Sequence, residues 1–161
     1  MPDQLSQLIQ VHEGRVKRNG NHVVYDDATG SPIIDGMHVN GNPTVGYGRN
    51  LAGKGLLEEE AEMLLKNDIT ECVSILTKEL SWFHQVDDVR AAVMIDLCLN
   101  MGWLTFSDFS ELFNFMALRD YSGAANDLTK TAWYREAHGG TPGSRGTHAY
   151  TMLMTGQWPT I

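Results

Sequence analysis

The chain has 161 residues, of which 42% are hydrophobic and 20% are charged, and its formal net charge at pH 7 is −8. This apolar content excludes intrinsic disorder, and the length suits one compact domain or two small lobes. No stretch approaches the roughly 20 apolar residues of a membrane span, and no Lys/Arg cluster offers a site for phosphates. We therefore expect a folded protein with no membrane span and no nucleic-acid partner.

The first part of the chain predicts a short helix followed by a small sheet. Apolar residues recur at helical spacing over residues 3–12, whereas residues 14–56 are rich in glycine, proline and asparagine. Short β-rich runs between such turn residues are typical of a hairpin-rich sheet. The predicted strands are His22–Asp26, Ile33–Ile34, Met37–Val39 and Thr44–Tyr47.

From residue 58 onward the pattern is helical. Apolar side chains recur at steps of three and four from Ala61 to Leu80, which predicts one face of a long helix over about 58–80. Cys72 and Cys98 lie within apolar helical patterns and are predicted to be buried free thiols. The fold class is therefore α+β and mostly α. Shorter helices are predicted from Asp87 or Asp88 to Met101, and over about 107–118, 121–130 and 144–155.

Two other site types can be weighed against the sequence. Residues 48–54 match the phosphate-loop pattern G-x-x-x-x-G-K, but Gly55 replaces the hydroxyl residue that would hold magnesium, and acidic residues follow at once. The six histidines show none of the short spacings of zinc hydrolases. Neither nucleotide hydrolysis nor zinc catalysis is favoured.

A more specific constellation combines one glutamate with an aspartate and a threonine. Glu13 follows the first helix, and Asp27 and Thr44 belong to the predicted sheet. Cleavage of a glycosidic bond needs one carboxylic acid to protonate the leaving oxygen and one carboxylate on the other face of the sugar. A helix end and a sheet could supply these two groups from opposite walls of a cleft.

These residues occur within motifs that resemble the phage-type lysozymes of glycoside hydrolase family 24. The pattern E-G, then Y-x-D-x-x-G, then T-x-G-x-G followed by His or Arg appears in order from Glu13 to Arg49. The resemblance continues along nearly the whole chain, through Asn100-Met101-Gly102 and Trp133-Tyr134 to Thr155-Gly156-Gln157-Trp158.

The resemblance implies a set of site residues. Glu13 would be the general acid, and Asp27 and Thr44 would hold and polarise the attacking water, with inversion at the sugar carbon. Arg145 would face the catalytic glutamate and favour its ionised form, so substrate desolvation would have to restore the protonated form. No cofactor is expected. The residues expected near the substrate are Asn100, Leu51, Leu99 and Arg145.

The resemblance also implies a domain organisation. Residues 1–161 would form a single lysozyme-like domain with its cleft between two lobes. A β-rich lobe over about 14–56 would be joined by a long helix over about 58–80 to a helical lobe over about 81–161, which would also include the N-terminal helix. We expect a monomer that acts on peptidoglycan glycan strands.

Departures from the family pattern lie in the β-rich part. The spacing from Glu13 to Asp27 and from Asp27 to Thr44 is longer than usual, and residues 31–42 form an extra hairpin or an enlarged loop. Strand alternation places Tyr25 and Asp27 on one face and sends Asp26 to solvent or to a local turn hydrogen bond. A register shift of one residue would exchange the roles of the two aspartates.

One structural contact and the biological setting can also be predicted. Arg49 replaces the histidine that many relatives carry after G-x-G, and we expect it to pair with Asp68. The expected activity is hydrolysis of the β-1,4 bond between N-acetylmuramic acid and N-acetylglucosamine for host-cell lysis. Because no leader is recognised, we expect accumulation in the host cytoplasm and release through a holin. The alternatives are a virion-borne lysin and a catalytically silent glycan-binding module.

Overall fold

The chain divides into two units, Met1–Glu62 and Met63–Ile161, with the boundary inside a long helix. A computed structural model describes residues 2–13 and 16–160, and side chains from residue 4 onward. Gly14, the second residue of the E-G pair, lies outside the described residues. The arrangement of both units as one domain, 1–161, stays a prediction.

Among the described residues, the first unit contains one complete helix, six short strands and the start of the long helix. Helix α1 is Pro2–His12. Strands β1 and β2 form a hairpin, and the other four strands form an antiparallel sheet in the order β4-β3-β5-β6. The strands are β1 Lys17–Arg18, β2 Asn21–His22, β3 Tyr25–Asp26, β4 Ser31–Pro32, β5 Pro43–Val45 and β6 Arg49–Asn50.

Turn chemistry explains the hairpin between β1 and β2. Asn19 and Gly20 both have positive φ, 51° and 85°, as an Asn-Gly turn between antiparallel strands requires. In the larger sheet Tyr25 of β3 lies opposite Pro32 of β4 on one side and Thr44 of β5 on the other. The central strand therefore places Tyr25 beside Thr44, two residues of the family motifs.

The predicted strands are correct only in part. The run His22–Asp26 is divided between β2 and β3, and Thr44–Tyr47 is replaced by the shorter β5. The runs Ile33–Ile34 and Met37–Val39 are not strands. A turn at Gly36, with φ of 74°, separates these two runs. The N–H of Ile33 donates to the carbonyl of Val24 at 2.9 Å, but this pairing does not continue into a strand. Each of the two descriptions of residues 31–42 fits one part of the segment, because β4 forms a hairpin with β3 and an enlarged loop follows β4.

The remaining elements are helices, and the long one matches its predicted bounds closely. Helix α2 is Glu58–Glu79, and its buried residues are Cys72 and Leu76, whereas Leu65 and Ile69 of the predicted face are exposed. The helix Ala132–Glu136 was not predicted, because five residues are too few to show a period. After α2 come a 3₁₀ turn at Phe83–Gln85 and helices α3 Asp88–Phe106, α4 Ser110–Ala117, α5 Tyr121–Leu128, α6 Ala132–Glu136 and α7 Arg145–Thr155.

The helix ends follow local capping rules. Asp87 is the N-cap of α3, where its carboxylate accepts from the N–H of Arg90, and Gly156 ends α7 in the left-handed conformation. Gly102 follows Met101, the predicted end of α3. It has φ of 75° and kinks the helix, which continues to Phe106. These caps hold short helices around one apolar core in the second unit, whose largest fully buried side chains are Leu76, Met94, Leu97, Phe106, Leu112, Met116, Leu128 and Leu153.

Two predictions about this core can be checked. Cys72 and Cys98 are free and buried, as expected.

Helix α3 is the one helix among the described residues that is long and apolar enough to cross a membrane, with a mean hydropathy of 1.3. One such helix is weak evidence for a membrane span, and Val93, Met94 and Leu97 of α3 pack in the core of the second unit.

Candidate active site

Glu13 directly follows α1 and lies beside the turn between β5 and β6. Its N–H donates to the carbonyl of Ile9 at 2.7 Å, which continues the helical hydrogen bonding by one residue. A Cβ atom at Gly48 would lie 3.6 Å from Oε2 of Glu13, and Gly48 has φ of 87°. The glutamate carboxylate, which is exposed, thus lies near the G-x-G segment that joins β5 to β6.

Tyr25 connects Glu13 electrostatically with Asp27. Burial raises the pKa of the Tyr25 hydroxyl, and the negative charges of Glu13 and Asp27 raise it further. The charges of both predicted carboxylates therefore act on the same tyrosine hydroxyl.

Asp27 is held by one residue of the enlarged loop. Its Oδ1 accepts from the backbone N–H of Asn42 at 2.7 Å, and its Oδ2 accepts from Nδ2 of Asn42 at 3.2 Å. The N–H of Asp27 in turn donates to the carbonyl of Asn42 at 3.2 Å. The aspartate side chain remains exposed while one neighbour orients both of its oxygens.

Thr44 shares that neighbour. Its side chain is buried, with 3% of its surface exposed, and its Oγ1 donates to the carbonyl of Asn42 at 3.2 Å. Asp27 and Thr44 are therefore linked through Asn42. The three residues predicted to be catalytic, Glu13, Asp27 and Thr44, lie in one unit, and their roles stay a prediction.

Asp26 has a different environment from the one expected. Its side chain is fully buried, so the prediction of a solvent contact is wrong. The predicted local turn hydrogen bond is present, because the N–H of Ala28 donates to the Asp26 carboxylate at 2.9 Å. The N–H groups of Asn40 and Gly41 also donate to this carboxylate, at 2.7 and 2.9 Å. These bonds, that from Asn40 above all, lower the pKa of Asp26. The aspartate accessible to a substrate is thus Asp27.

Arg49 pairs with a different acid from the one predicted. Its guanidinium forms a bidentate ion pair with Glu60 and also donates to the carbonyl of Gly55 at 3.0 Å. The prediction of Asp68 as its partner is wrong, because Glu60 is near the start of α2 and closer to β6. Glu60 also accepts from the N–H of Leu57 at 2.8 Å, and the hydrogen bond from Arg49 lowers the pKa of Glu60.

The residues predicted to contact substrate are divided between the units. Leu51 belongs to the first, where its N–H donates to the carbonyl of Pro43 at 2.8 Å. In the second unit, Oδ1 of Asn100 accepts from the indole Nε1 of Trp133 at 2.7 Å beside a pocket of about 680 Å³. Leu99 lines another pocket of about 290 Å³.

Arg145 forms an ion pair within the second unit. Its Nε and Nη2 donate to the two carboxylate oxygens of Asp96 at 3.0 and 2.6 Å. The hydrogen bond with Asp96 raises the pKa of Arg145. The predicted approach of Arg145 to Glu13 stays a prediction.

Two contributors to the site were missed at the level of sequence. Tyr25 was noted within its motif but given no role, and Asn42 was treated only as the end of an insertion. The one sequence signal for Asn42 is its position two residues before Thr44, directly before the strand that carries Thr44. No group of three His, Cys, Asp or Glu side chains in residues 4–13 and 16–160 could hold a metal ion.

A comparison with known families gives this geometry its context. The sequence profile of the phage lysozyme family matches residues 25–145, most of the chain. The chain belongs to the phage lysozyme family. No curated protein sequence matches it. The family match covers Asp27, Thr44 and Arg145 but begins after Glu13.

Membership of the phage lysozyme family fixes the general activity. The chain is a peptidoglycan hydrolase of the glycoside hydrolase type, and peptidoglycan is its substrate. The predicted α+β, mostly helical lysozyme-like fold is confirmed by this match and by the seven helices and small antiparallel sheets of the described residues.

Proposed function

We propose that this phage lysozyme family member is a muramidase that cleaves the β-1,4 bond between N-acetylmuramic acid and N-acetylglucosamine. The observation that carries the proposal is the link that Asn42 makes between Asp27 and Thr44, two residues within the family match. Glu13, which lies near Gly48 in the same unit, and Asp27, which is held by Asn42, can take the two different roles that glycoside hydrolysis needs.

Glu13 is the proposed general acid. None of the hydrogen bonds among the described residues holds it as a carboxylate, and its Oε2 lies near Gly48, where a sugar ring could cover it. Removal of water by the sugar favours the protonated carboxyl group, which then donates its proton to the leaving oxygen.

Asp27 and Thr44 are the proposed water-holding residues. Asp27 keeps acceptor capacity on both oxygens beyond the bonds from Asn42, and the Thr44 hydroxyl is linked to it through the carbonyl of Asn42. A water held by these groups would attack the sugar carbon from the face opposite the leaving group, which inverts its configuration. Leu51, Leu99, Asn100 and Arg145 are proposed to contact the glycan strand.

The proposed biological role is lysis of the host cell. The enzyme would accumulate in the host cytoplasm, act as a monomer and reach the wall through a holin. Its net charge of −8 gives little long-range attraction to an anionic wall, so binding would depend on contacts within the site. Use of the enzyme as a virion-borne lysin is the alternative role.

Product analysis tests the proposed bond. Purified peptidoglycan is digested, and the new ends are identified chemically for the wild type, Glu13→Gln and the matched exposed control Glu62→Gln. We expect new reducing ends on N-acetylmuramic acid for the wild type and Glu62→Gln, with the α anomer formed first. Reducing ends on N-acetylglucosamine, new amino termini, or binding without cleavage would each contradict the proposal.

A further inference from the structure

The enlarged loop after β4 ends beside the proposed catalytic carboxylate, at Asn42. This residue contacts Asp27 with three groups: its backbone N–H, its backbone carbonyl and its side-chain amide. We propose that Asn42 is a positioning residue that fixes the orientation of the Asp27 carboxylate for catalysis. The proposal rests on the role given to Asp27 in the proposed function.

The geometry distributes the donors of Asn42 over both carboxylate oxygens. The backbone N–H bonds Oδ1 at 2.7 Å, and Nδ2 bonds Oδ2 at 3.2 Å. A carboxylate has about four acceptor sites, so two donors fix the plane of the group and leave sites on each oxygen for water. An exposed aspartate would otherwise rotate freely about its side-chain bonds.

The loop end that carries Asn42 is itself fixed. The buried carboxylate of Asp26 accepts from the N–H groups of Asn40 and Gly41, the two residues before Asn42. At Gly41 a Cβ atom would lie 2.1 Å from Oδ1 of Asp27, so only glycine allows this close approach. On the other side of Asn42, Oγ1 of Thr44 donates to its carbonyl.

Orientation of a group that reacts only in the transition state affects turnover more than binding. Loss of the Nδ2 donor in Asn42→Ala should therefore lower kcat roughly 10-fold, as expected for one hydrogen bond to a charged group, and leave KM within about 2-fold. Asn42→Asp keeps the shape but sets an oxygen against Oδ2 of Asp27. We expect it to be worse than Asn42→Ala, because like charges then face each other.

The same substitutions at Asn40 provide matched controls. Asn40 is exposed in the same loop and bonds Asp26 through its backbone N–H, which Asn40→Ala and Asn40→Asp retain. Both should keep kcat within about 2-fold of the wild type. If Asn42 merely filled space, Asn42→Asp would be the milder of the two Asn42 substitutions, and that ranking would overturn the proposal.

A double-mutant comparison separates this proposal from the proposed function. In an Asp27→Asn background, Asn42→Ala should cause no further loss of residual kcat, because the group it orients is already replaced. If Asn42→Ala lowered kcat as much in the Asp27→Asn background as in the wild type, the positioning role of Asn42 would be overturned, and the proposed role of Asp27 would not be affected. Asp27→Asn with wild-type turnover would contradict the role of Asp27 in the proposed function, and this proposal with it.

A spectroscopic measurement completes the test without activity. Hydrogen bonds to an ionised carboxylate are stronger than those to a neutral one, so the backbone and Nδ2 protons of Asn42 should shift in NMR spectra as acid protonates Asp27. These shifts should be absent in Asp27→Asn, and the Asn40 side-chain amide should not report them. Asn42 protons whose NMR shifts on acidification are the same in Asp27→Asn as in the wild type would overturn the proposal.

Discussion

The buried carboxylate of Asp26 accepts a hydrogen bond of 2.7 Å from the backbone N–H of Asn40, fourteen residues further along the chain. Together with the bond from Gly41, this contact closes the loop that follows β4. Asp27, which follows Asp26 in the chain, is exposed, and its carboxylate accepts a hydrogen bond from the backbone N–H of Asn42. Two adjacent aspartates of the same sequence motif thus hold one loop end, one from the interior and one from the surface.

Substitution of the two aspartates should separate stability from activity. Asp27→Asn should remove most turnover and leave the melting temperature close to that of the wild type, because the side chain is exposed. Asp26→Asn should lower the melting temperature, because one oxygen becomes an NH₂ group facing buried N–H donors. Thermal melting and lysis of purified peptidoglycan measure both effects.

From the sequence alone Asp26 is expected in solvent or in a local turn hydrogen bond, where replacement by Asn would change little, and its burial changes that expectation. We now expect its activity to fall as well, in proportion to the displacement of the loop end from Asp27. Equal melting temperatures for Asp26→Asn and the wild type would contradict the structural role given to the buried carboxylate.

Acid should weaken the contribution of Asp26 to stability. Hydrogen bonds lower its pKa in the folded state, so folding favours the ionised form. That contribution is fully present above the unfolded value of about 4 and is lost as the pH falls through the folded pKa. The difference in melting temperature between the wild type and Asp26→Asn should therefore shrink from pH 7 to pH 3. A difference independent of pH would contradict this assignment.

The ion pair between Arg49 and Glu60 should make a modest contribution to stability. Both side chains keep part of their surface exposed, 24% and 30%, so solvent screens the attraction. Glu60→Gln should lower the melting temperature by more than Glu62→Gln, whose parent side chain is exposed. Arg49→Lys, which cannot form the bidentate contact, should resemble Glu60→Gln. Glu60→Gln with the same effect as Glu62→Gln would show that the pair contributes nothing measurable.

The cysteines should be unreactive in the folded protein. Burial, and then a hydrogen bond with Cys72, raise the pKa of the Cys98 thiol to about 12. The thiolate is the reactive form, so iodoacetamide at pH 7.5 should label neither cysteine until the protein unfolds. Mass spectrometry of native and urea-unfolded samples measures this difference. Rapid labelling of native Cys98 would show that it is more accessible than its 2% exposure indicates.

Elements long enough to show a repeating spacing of apolar residues were predictable from the sequence. Helix α2, Glu58–Glu79, lies within a residue of its predicted bounds, and α7 ends before Gly156 as expected. The two-residue strands show no alternation, because a period of two needs several residues to be recognised. The pairing of β1 with β2 depends on the Asn19-Gly20 turn, which is a hairpin signal in the sequence, whereas no such signal fixes the register of the larger sheet.

The site was predictable where it depends on local motifs and unpredictable where it depends on loop closure. Strand alternation predicted different surroundings for Asp26 and Asp27, but Asp26, expected in solvent or in a local turn hydrogen bond, is buried, and Asp27 is exposed. The contact of Asp27 with Asn42 joins residues fifteen positions apart across an irregular loop. The partner of Arg49 depends on where α2 begins relative to β6, and no spacing in the sequence specifies that distance.

The central claim is that Glu13 donates the proton that cleaves the glycan strand. Its most direct measurement is the rate at which new N-acetylmuramic acid reducing ends appear in purified peptidoglycan digested by the wild type and by Glu13→Gln. Glutamine keeps the shape and removes the proton, so the rate should fall by roughly 10²–10⁴-fold or more, with the melting temperature unchanged. A Glu13→Gln enzyme that releases these ends at nearly the wild-type rate would contradict the claim.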